Sequence, residues 1–202
     1  MKLLAFVDIH GSPSALKRIE AIAKKENPDA LICAGDITIF EQHIEHLLAK
    51  LDSIGASINK PVFIVHGNHE SDEVMQVMCK HLKHVVFVHK KIIELGEYAV
   101  SGFGGGGFSL VDNDFEIWAK SVAAELRGKK LIFLSHAPPY GTSLDLIYEE
   151  HAGSKSLVRF IKQAGPALVV CGHLHENAGR KDKLGKTLIV NPGAAGAIIE
   201  LK

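Results

Sequence analysis

Five short apolar runs constrain the fold more than any other feature of this sequence. Each run is four or five residues long and nearly continuous rather than alternating, which is typical of parallel strands that are covered on both faces. Segments with helical periodicity separate the first runs, and this succession predicts βαβ units with right-handed crossovers. The runs are Leu3–Val7, Ala30–Ala34, Val62–Val65, Leu131–Leu134 and Leu168–Cys171.

Helix start signals between these runs support the same order of elements. Ser12 followed by Pro13 predicts an N-cap and a first helical residue, and Ser71 predicts a second N-cap. Between them, the spacing of apolar residues over Ile44–Leu51 predicts a helix that ends near Gly55.

The middle of the chain carries a different pattern. Val85–Val88, Lys91–Leu95 and Tyr98–Gly102 are short apolar segments around a turn at residues 96–97, and they predict a meander or hairpin. Helices at about 115–126 and 154–163 and strands at 187–190 and 197–201 complete the prediction. Because hairpin and βαβ patterns coexist, we expect one mixed α/β domain over residues 1–202, with two sheets.

Composition limits the classes of partner. The chain has 23 basic and 23 acidic residues, so it lacks the bulk positive field that drives nonspecific binding, and we do not expect nucleic acid as a partner. No apolar run approaches the roughly 18 residues that span a bilayer, so we expect no membrane partner. Three scattered cysteines favour a reducing, cytoplasmic location over a disulfide framework.

Each of the five apolar runs is followed by side chains that bind metals. Ligands gather at the carboxyl ends of strands in open α/β sheets, so five such ends would converge on one site. Imidazoles, carboxylates and an amide oxygen suit Mn²⁺, Fe²⁺, Co²⁺ or Zn²⁺ better than Ca²⁺. The blocks are Asp8-Ile9-His10, Gly35-Asp36, Gly67-Asn68-His69-Glu70, Ser135-His136 and Gly172-His173-Leu174-His175.

These blocks resemble the calcineurin-like metallophosphoesterases, whose ordered pattern is Asp-x-His, Gly-Asp, Gly-Asn-His-(Asp/Glu), His and Gly-His-x-His. The resemblance covers positions 8 to 175 and implies a four-layer α-β-β-α sandwich with two mixed β-sheets. It implies two divalent transition metal ions, with manganese favoured, and a bridging hydroxide as nucleophile. The implied ligands are Asp8, His10 and His175 for one ion, Asn68, His136 and His173 for the other, and Asp36 for both. His69 matches the catalytic histidine of the family, near the leaving group.

The chain departs from the phosphoprotein phosphatases of that superfamily at two positions. Those enzymes carry Asp-Arg three and four residues after the shared Asp, where this chain has Ile39 and Phe40. The missing Arg would grip a dianionic monoester, so we favour a phosphodiesterase that acts on a small phosphate ester. The missing Asp would orient the catalytic imidazole, and we expect Glu70 or a backbone carbonyl to replace it.

Three alternative functions stay open. A phosphomonoesterase or a nuclease of the same superfamily would use the same blocks, whereas a protein-binding scaffold with this fold would not need catalysis. All seven ligand positions and His69 are filled by competent residues, which favours catalysis. The segment Phe103–Phe108 encloses four glycines without the Lys of a P-loop, and both a lid over the site and a surface loop are consistent with it.

Overall fold

The computed structural model describes all residues 1–202. The strands are β1 (Lys2–Phe6), β2 (Ala30–Cys33), β3 (Val62–Ile64), β4 (Val85–Phe87), β5 (Ile92–Leu95), β6 (Tyr98–Phe103), β7 (Lys130–Ser135), β8 (Leu146–Ile147), β9 (Glu150–His151), β10 (Leu168–Val170), β11 (Lys181–Leu184), β12 (Thr187–Val190) and β13 (Ala197–Glu200). The α-helices are α1 (Pro13–Glu26), α2 (Ile44–Ile58), α3 (Asp72–Cys79), α4 (Asn113–Leu126) and α5 (Lys155–Ala164). None of these helices has both the length and the apolar character needed to cross a bilayer.

Two mixed sheets contain all strands except the β8–β9 pair. The first sheet has the order β13-β1-β2-β3-β4, and only β13 runs antiparallel to its neighbour. The second sheet has the order β11-β12-β10-β7-β6-β5, and its two edge strands are antiparallel. Parallel strands therefore occupy the centre of both sheets, where their carboxyl ends share one edge.

Three hydrophobic clusters separate four layers. One lies between the first sheet and α1–α3, one between the two sheets, and one between the second sheet and α4–α5. In β1, Leu4 and Phe6 face the helices, whereas Leu3 and Ala5 face the second sheet. Each strand of this kind is buried on both faces, which explains the continuous apolar runs. The predicted α-β-β-α sandwich is confirmed.

Helix boundaries follow the sequence signals with one exception. The hydroxyls of Ser12 and Ser71 accept hydrogen bonds from main-chain N–H groups in the first turns of α1 and α3, which confirms both N-caps. The predicted end of α2 near Gly55 is wrong, because the helix continues to Ile58. A Cβ at position 55 would lie 2.7 Å from the Cβ of His84. This glycine therefore permits close packing and does not end the helix.

The middle of the chain is divided between the two sheets. β5 and β6 form the predicted hairpin in the second sheet. The prediction of a meander that includes residues 85–88 is wrong. This segment forms β4, which pairs in parallel with β3 in the first sheet. Helix α3 returns the chain beside β3, so β4 completes one more βαβ unit before the chain crosses to the second sheet.

Candidate metal centre

All seven predicted ligands lie together in one cleft. The cleft is formed by the loops that follow β1, β2 and β3 of the first sheet and β7 and β10 of the second. These loops carry the five blocks of polar residues that the sequence places after the apolar runs, and their donor atoms lie within a few ångströms of one another. The seven side chains are Asp8, His10, Asp36, Asn68, His136, His173 and His175.

A first donor group contains Asp8, His10 and His175. The Nε2 atoms of the two imidazoles lie 3.0 Å apart, and that of His175 lies 3.9 Å from Oδ2 of Asp8. In His10, Nδ1–H donates to the carbonyl oxygen of Thr38 at 3.0 Å, which leaves a lone pair on Nε2. Two ligands of one ion at right angles lie about 3 Å apart when each bond is about 2.1 Å. The group therefore fits a transition metal ion.

A second donor group contains Asn68, His136 and His173. Oδ1 of Asn68 lies 2.9 Å from Nε2 of His136 and 2.8 Å from Nδ1 of His173. In His136, Nδ1–H donates to the carbonyl oxygen of Ala34 at 3.0 Å, so a neutral ring presents a lone pair at Nε2. Facing lone pairs repel each other unless a proton or a cation lies between them. The second group therefore fits a second cation.

Asp36 lies between the two groups and is 2% exposed. Its Oδ1 accepts a hydrogen bond of 3.0 Å from the main-chain N–H of His69. Its Oδ2 lies 3.3 Å from Nε2 of His136 and 3.8 Å from Nε2 of His10. A Cβ at Gly67 would lie 1.9 Å from Oδ1, so only glycine leaves room for this carboxylate. One oxygen is thus fixed by the backbone while the other faces both donor groups.

The strand ends turn sharply to aim these side chains at the cleft. Four of the predicted ligands have φ between 47° and 68°, in the left-handed region. Such a conformation costs about 1–2 kcal/mol for a residue with a Cβ, and strain of this kind concentrates at functional sites. Main-chain hydrogen bonds between neighbouring loops hold it, such as Asp8 N–H to the Gly35 carbonyl at 3.2 Å. The four residues are Asp8, His10, Asp36 and His173.

Glu70 holds the loops and does not orient His69. Its carboxylate is 5% exposed. Oε1 accepts hydrogen bonds from the main-chain N–H and the hydroxyl of Thr38, at 2.8 and 2.7 Å. Oε2 accepts from the main-chain N–H groups of Asp36 and Gly67, at 3.1 and 3.0 Å. The expectation that Glu70 orients the imidazole is therefore wrong. Both of its oxygens accept hydrogen bonds that tie the loop after β2 to the loop after β3.

The imidazole of His69 is oriented by a main-chain donor. The N–H of Phe40 donates to Nδ1 at 3.2 Å, so the expectation of a backbone carbonyl is also wrong. A neutral ring with Nδ1 as acceptor carries its hydrogen on Nε2. That atom lies 3.8 Å from Oδ2 of Asp36. The ring therefore presents an N–H donor to the cleft, beside the shared carboxylate.

Electrostatic coupling sets the charges of the buried groups. Burial raises the pKa of Asp36, but the hydrogen bonds and charges of His136 and His69 together outweigh it and lower the pKa to about 2. Burial lowers the pKa of His136, but Asp36, Asp8 and the hydrogen bond to Ala34 outweigh it and raise that pKa. The raised pKa favours a second proton at Nε2, and a bound cation would take the place of that proton. Burial, with the charge of His136, lowers the pKa of His173 to about 4. At neutral pH Asp36 is ionised and His173 is neutral, as metal ligation requires.

Another trio of ligand types, His66, Asp72 and His89, lies outside this cleft. Nδ1 of His89 accepts a hydrogen bond of 2.9 Å from the main-chain N–H of Gly104. Its Nε2 therefore carries the hydrogen and faces Oδ2 of Asp72 at 3.7 Å. A metal ligand needs a lone pair at that nitrogen, so we assign this trio a structural role beneath the glycine-rich loop.

Phe108 is a residue of the cleft that the sequence did not identify. Its ring centroid lies 4.6 Å from that of His173, in an edge-to-face arrangement. The aromatic residue at the end of a glycine run was the available signal, but its position depends on how the loop folds back. The loop therefore places an aromatic ring at the metal centre.

The family model for calcineurin-like phosphoesterases matches residues 1–177. The chain therefore belongs to this family, which confirms the resemblance inferred from the five blocks. Membership supports a hydrolase that acts on phosphate esters, and it implies divalent metal ions, for which the cleft has suitable donors. The uncharacterized protein MJ1162 of Methanocaldococcus jannaschii is 30% identical over 200 residues, which cover 95% of this chain and 88% of the relative.

Solved structures share the fold at low sequence identity. The TT1561 structure of Thermus thermophilus has a TM-score of 0.75 at 23% identity and covers 96% of this chain and 89% of that one. A dimetal phosphatase from Danio rerio has a TM-score of 0.68 at 9% identity, with coverages of 94% and 86%. An archaeal phosphodiesterase has a TM-score of 0.55 at 14% identity, with coverages of 96% and 84%. These likenesses establish the two-sheet fold.

Proposed function

We propose that this chain is a phosphodiesterase that uses two divalent transition metal ions, with manganese favoured. The observation that carries the proposal is the position of Asp36, whose Oδ2 faces donor atoms of both ligand groups at 3.3 and 3.8 Å. Two bound ions would supply the Lewis acidity and the activated water that phosphoester hydrolysis needs. The seven side chains would hold these ions, with Asp36 shared.

His69 is the proposed catalytic residue. Its Nε2–H lies beside Asp36, where it can donate to the leaving oxygen of a bound ester. The main-chain N–H of Phe40 fixes the ring in that orientation. A donor that is positioned before the reaction stabilises developing negative charge without reorganisation, so this imidazole assists departure of the leaving group.

The surroundings of the site favour diesters over monoesters. Phe40 stands where related phosphatases carry an Arg, and its side chain is 73% exposed. The ion pairs of Asp8 and Asp36 are all with histidines, and none involves Lys or Arg. A dianionic monoester gains more from an added cation than a monoanionic diester does. The absence of that cation therefore supports a diester substrate.

A direct test compares bis(4-nitrophenyl) phosphate with 4-nitrophenyl phosphate on manganese-loaded protein. We expect the diester to have the higher kcat/KM. Phe40→Arg should shift the ratio toward the monoester, whereas Phe40→Leu, which adds no charge, should leave the diester preferred. A clear preference of the unmodified protein for the monoester would contradict the proposal and favour the phosphomonoesterase alternative.

The proposal includes a single domain over residues 1–202, a small-molecule substrate and a cytoplasmic location. The formal net charge of zero supports a small phosphate ester over nucleic acid. The three cysteines are free and buried, and burial raises the pKa of each thiol. Free thiols without disulfides support a reducing compartment.

A further inference from the structure

Two exposed aromatic side chains border the metal centre, one beside each donor group. The ring centroid of Phe40 lies 4.4 Å from that of His69, which lies 4.8 Å from that of His10 in the first group. The ring centroid of Phe108 lies 4.6 Å from that of His173 in the second group. A substrate held at the centre would therefore have an aromatic ring within reach on each side, Phe40 near the first donor group and Phe108 near the second.

Both rings are unusually open to solvent. Phe40 is 73% exposed and Phe108 is 64% exposed. Their apolar neighbours Ile39, Leu110 and Val111 are exposed as well. Exposed aromatic side chains give up the stabilisation that burial would provide, and a cluster of them around a cleft is typical of a ligand-binding surface.

The two loop segments that carry Phe40 and Phe108 have no lysine or arginine of their own. The segments 37–43 and 103–112 contain no Lys or Arg, and their charged residues are Glu41 and Asp112. A second phosphate or a carboxylate beside Phe40 or Phe108 would meet no Lys or Arg from these two segments. This composition favours uncharged ester groups beside the centre, with the negative charge of the substrate on the central phosphate.

Main-chain hydrogen bonds restrain the two loops that carry these rings. Phe40 has φ of 48°, and its N–H is hydrogen-bonded to His69. The loop that ends in Phe108 is attached near its start, where the N–H of Gly105 donates to the carbonyl oxygen of His66 at 3.1 Å. A loop whose backbone is already restrained loses less conformational entropy when a ligand binds.

We propose that Phe40 and Phe108 determine specificity by stacking on uncharged, planar aromatic groups of a phosphodiester. Aromatic faces favour planar partners, in offset or edge-to-face contacts, over flexible alkyl chains. Because Phe40 contacts His69, it takes the leaving group, and Phe108 takes the other ester group. The assignment of one ring to the leaving group and the other to the second ester group rests on the proposed function. The preference for aromatic groups can be tested by binding alone.

Calorimetric titration of manganese-loaded protein with diphenyl phosphate and dimethyl phosphate tests the binding. We expect diphenyl phosphate to bind about 100-fold more tightly, with each ring contributing about tenfold. Phe40→Ala and Phe108→Ala should each weaken diphenyl phosphate about tenfold and leave dimethyl phosphate within about twofold. Ile117→Ala, at an exposed site on α4, is the matched control and should change neither. Equal affinity of the unmodified protein for both phosphates would overturn the proposal.

Kinetics with bis(4-nitrophenyl) phosphate and methyl 4-nitrophenyl phosphate tests which ring binds which ester group. The two diesters share a leaving group and differ only in the other ester group. Phe40→Ala should lower kcat/KM by a similar factor on both, whereas Phe108→Ala should lower it only on the first. If Phe108→Ala lowers both equally and reduces metal content, Phe108 supports His173 and the specificity role is wrong. If the unmodified protein hydrolyses neither diester, the proposed function fails, and the calorimetric result still decides whether the rings bind aromatic groups.

Discussion

The main-chain N–H of Phe40 donates a hydrogen bond of 3.2 Å to Nδ1 of His69. This contact is one of several that join the loop after β2 to the loop after β3. It fixes the plane of the imidazole and leaves Nε2 as the atom that faces Asp36. The residue that replaces the Arg of related phosphatases therefore has two roles: its backbone orients the proposed catalytic ring, and its side chain borders the site.

Replacing His69 by Asn removes the Nε2 donor while keeping an acceptor for Phe40, because Oδ1 of Asn occupies the place of Nδ1. We expect a much larger loss on a 2′,3′-cyclic nucleotide, whose leaving group is an alkoxide, than on a nitrophenyl diester. Positioned proton transfer contributes roughly 10²–10⁴-fold when the leaving group needs it. Steady-state kinetics on both substrates checks this.

Metal content and a control variant separate the possible roles of His69. His46→Asn, at an exposed position on α2, should leave both activities and the metal content unchanged. If His69→Asn loses the same factor on both substrates, the ring acts as a positioning or electrostatic group instead of a donor to the leaving oxygen. If the variant loses metal, His69 belongs to the ligands and its assignment as catalytic residue is wrong.

Replacing Glu70 by Gln should weaken both the fold and metal binding. The carboxylate accepts four hydrogen bonds at 2.7–3.1 Å, and the amide would set an NH₂ group against at least one of these donors. A buried group left without a partner costs about 1–3 kcal/mol. Urea unfolding and a manganese titration would measure the two effects, with the exposed Glu45→Gln as control. Unchanged stability would show that the loops do not depend on this carboxylate.

Stability should fall as the pH is lowered, through His89. Burial, with the charge of His66, lowers the pKa of His89 to about 3, whereas an unfolded His titrates near about 6.5. Between these two pKa values the unfolded chain binds one more proton at His89 than the folded chain does. The free energy of unfolding therefore decreases toward acid by up to about 1.4 kcal/mol per pH unit.

His89→Asn keeps an acceptor for the N–H of Gly104 but does not titrate. Denaturant unfolding of chelator-treated protein between pH 6 and 4 should show a shallower pH dependence for this variant than for the unmodified chain. His81→Asn, at an exposed position, should keep the original slope. Identical slopes for all three proteins would show that His89 is not buried in its neutral form.

The sequence predicts the strands and their ligand blocks because both depend on local patterns. Continuous apolar runs identify β1, β2, β3, β7 and β10, and the side chains that follow them include the seven proposed ligands. The four-layer architecture and the family follow from the order of those blocks. The single-domain organisation and the individual roles of the site residues stay predictions.

The features that the sequence did not predict depend on contacts between distant segments. Gly55 is a packing residue because His84 and the carbonyl oxygen of Lys60 lie against it. The role of Glu70 depends on where the loop after β2 crosses the loop after β3. Strand β11 has an alternating exposed pattern with two lysines and an aspartate, so its short edge pairing leaves no apolar signal. Phe108 reaches the cleft only because the glycine-rich loop folds back toward His173.

The metal content of purified, active protein tests the central claim most directly. Because Asp36 faces both donor groups, elemental analysis of manganese-loaded protein should give close to two ions per chain. Asp36→Ala should reduce the content and remove most of the activity toward bis(4-nitrophenyl) phosphate. Active protein that contains no metal and resists chelators would contradict the two-metal account.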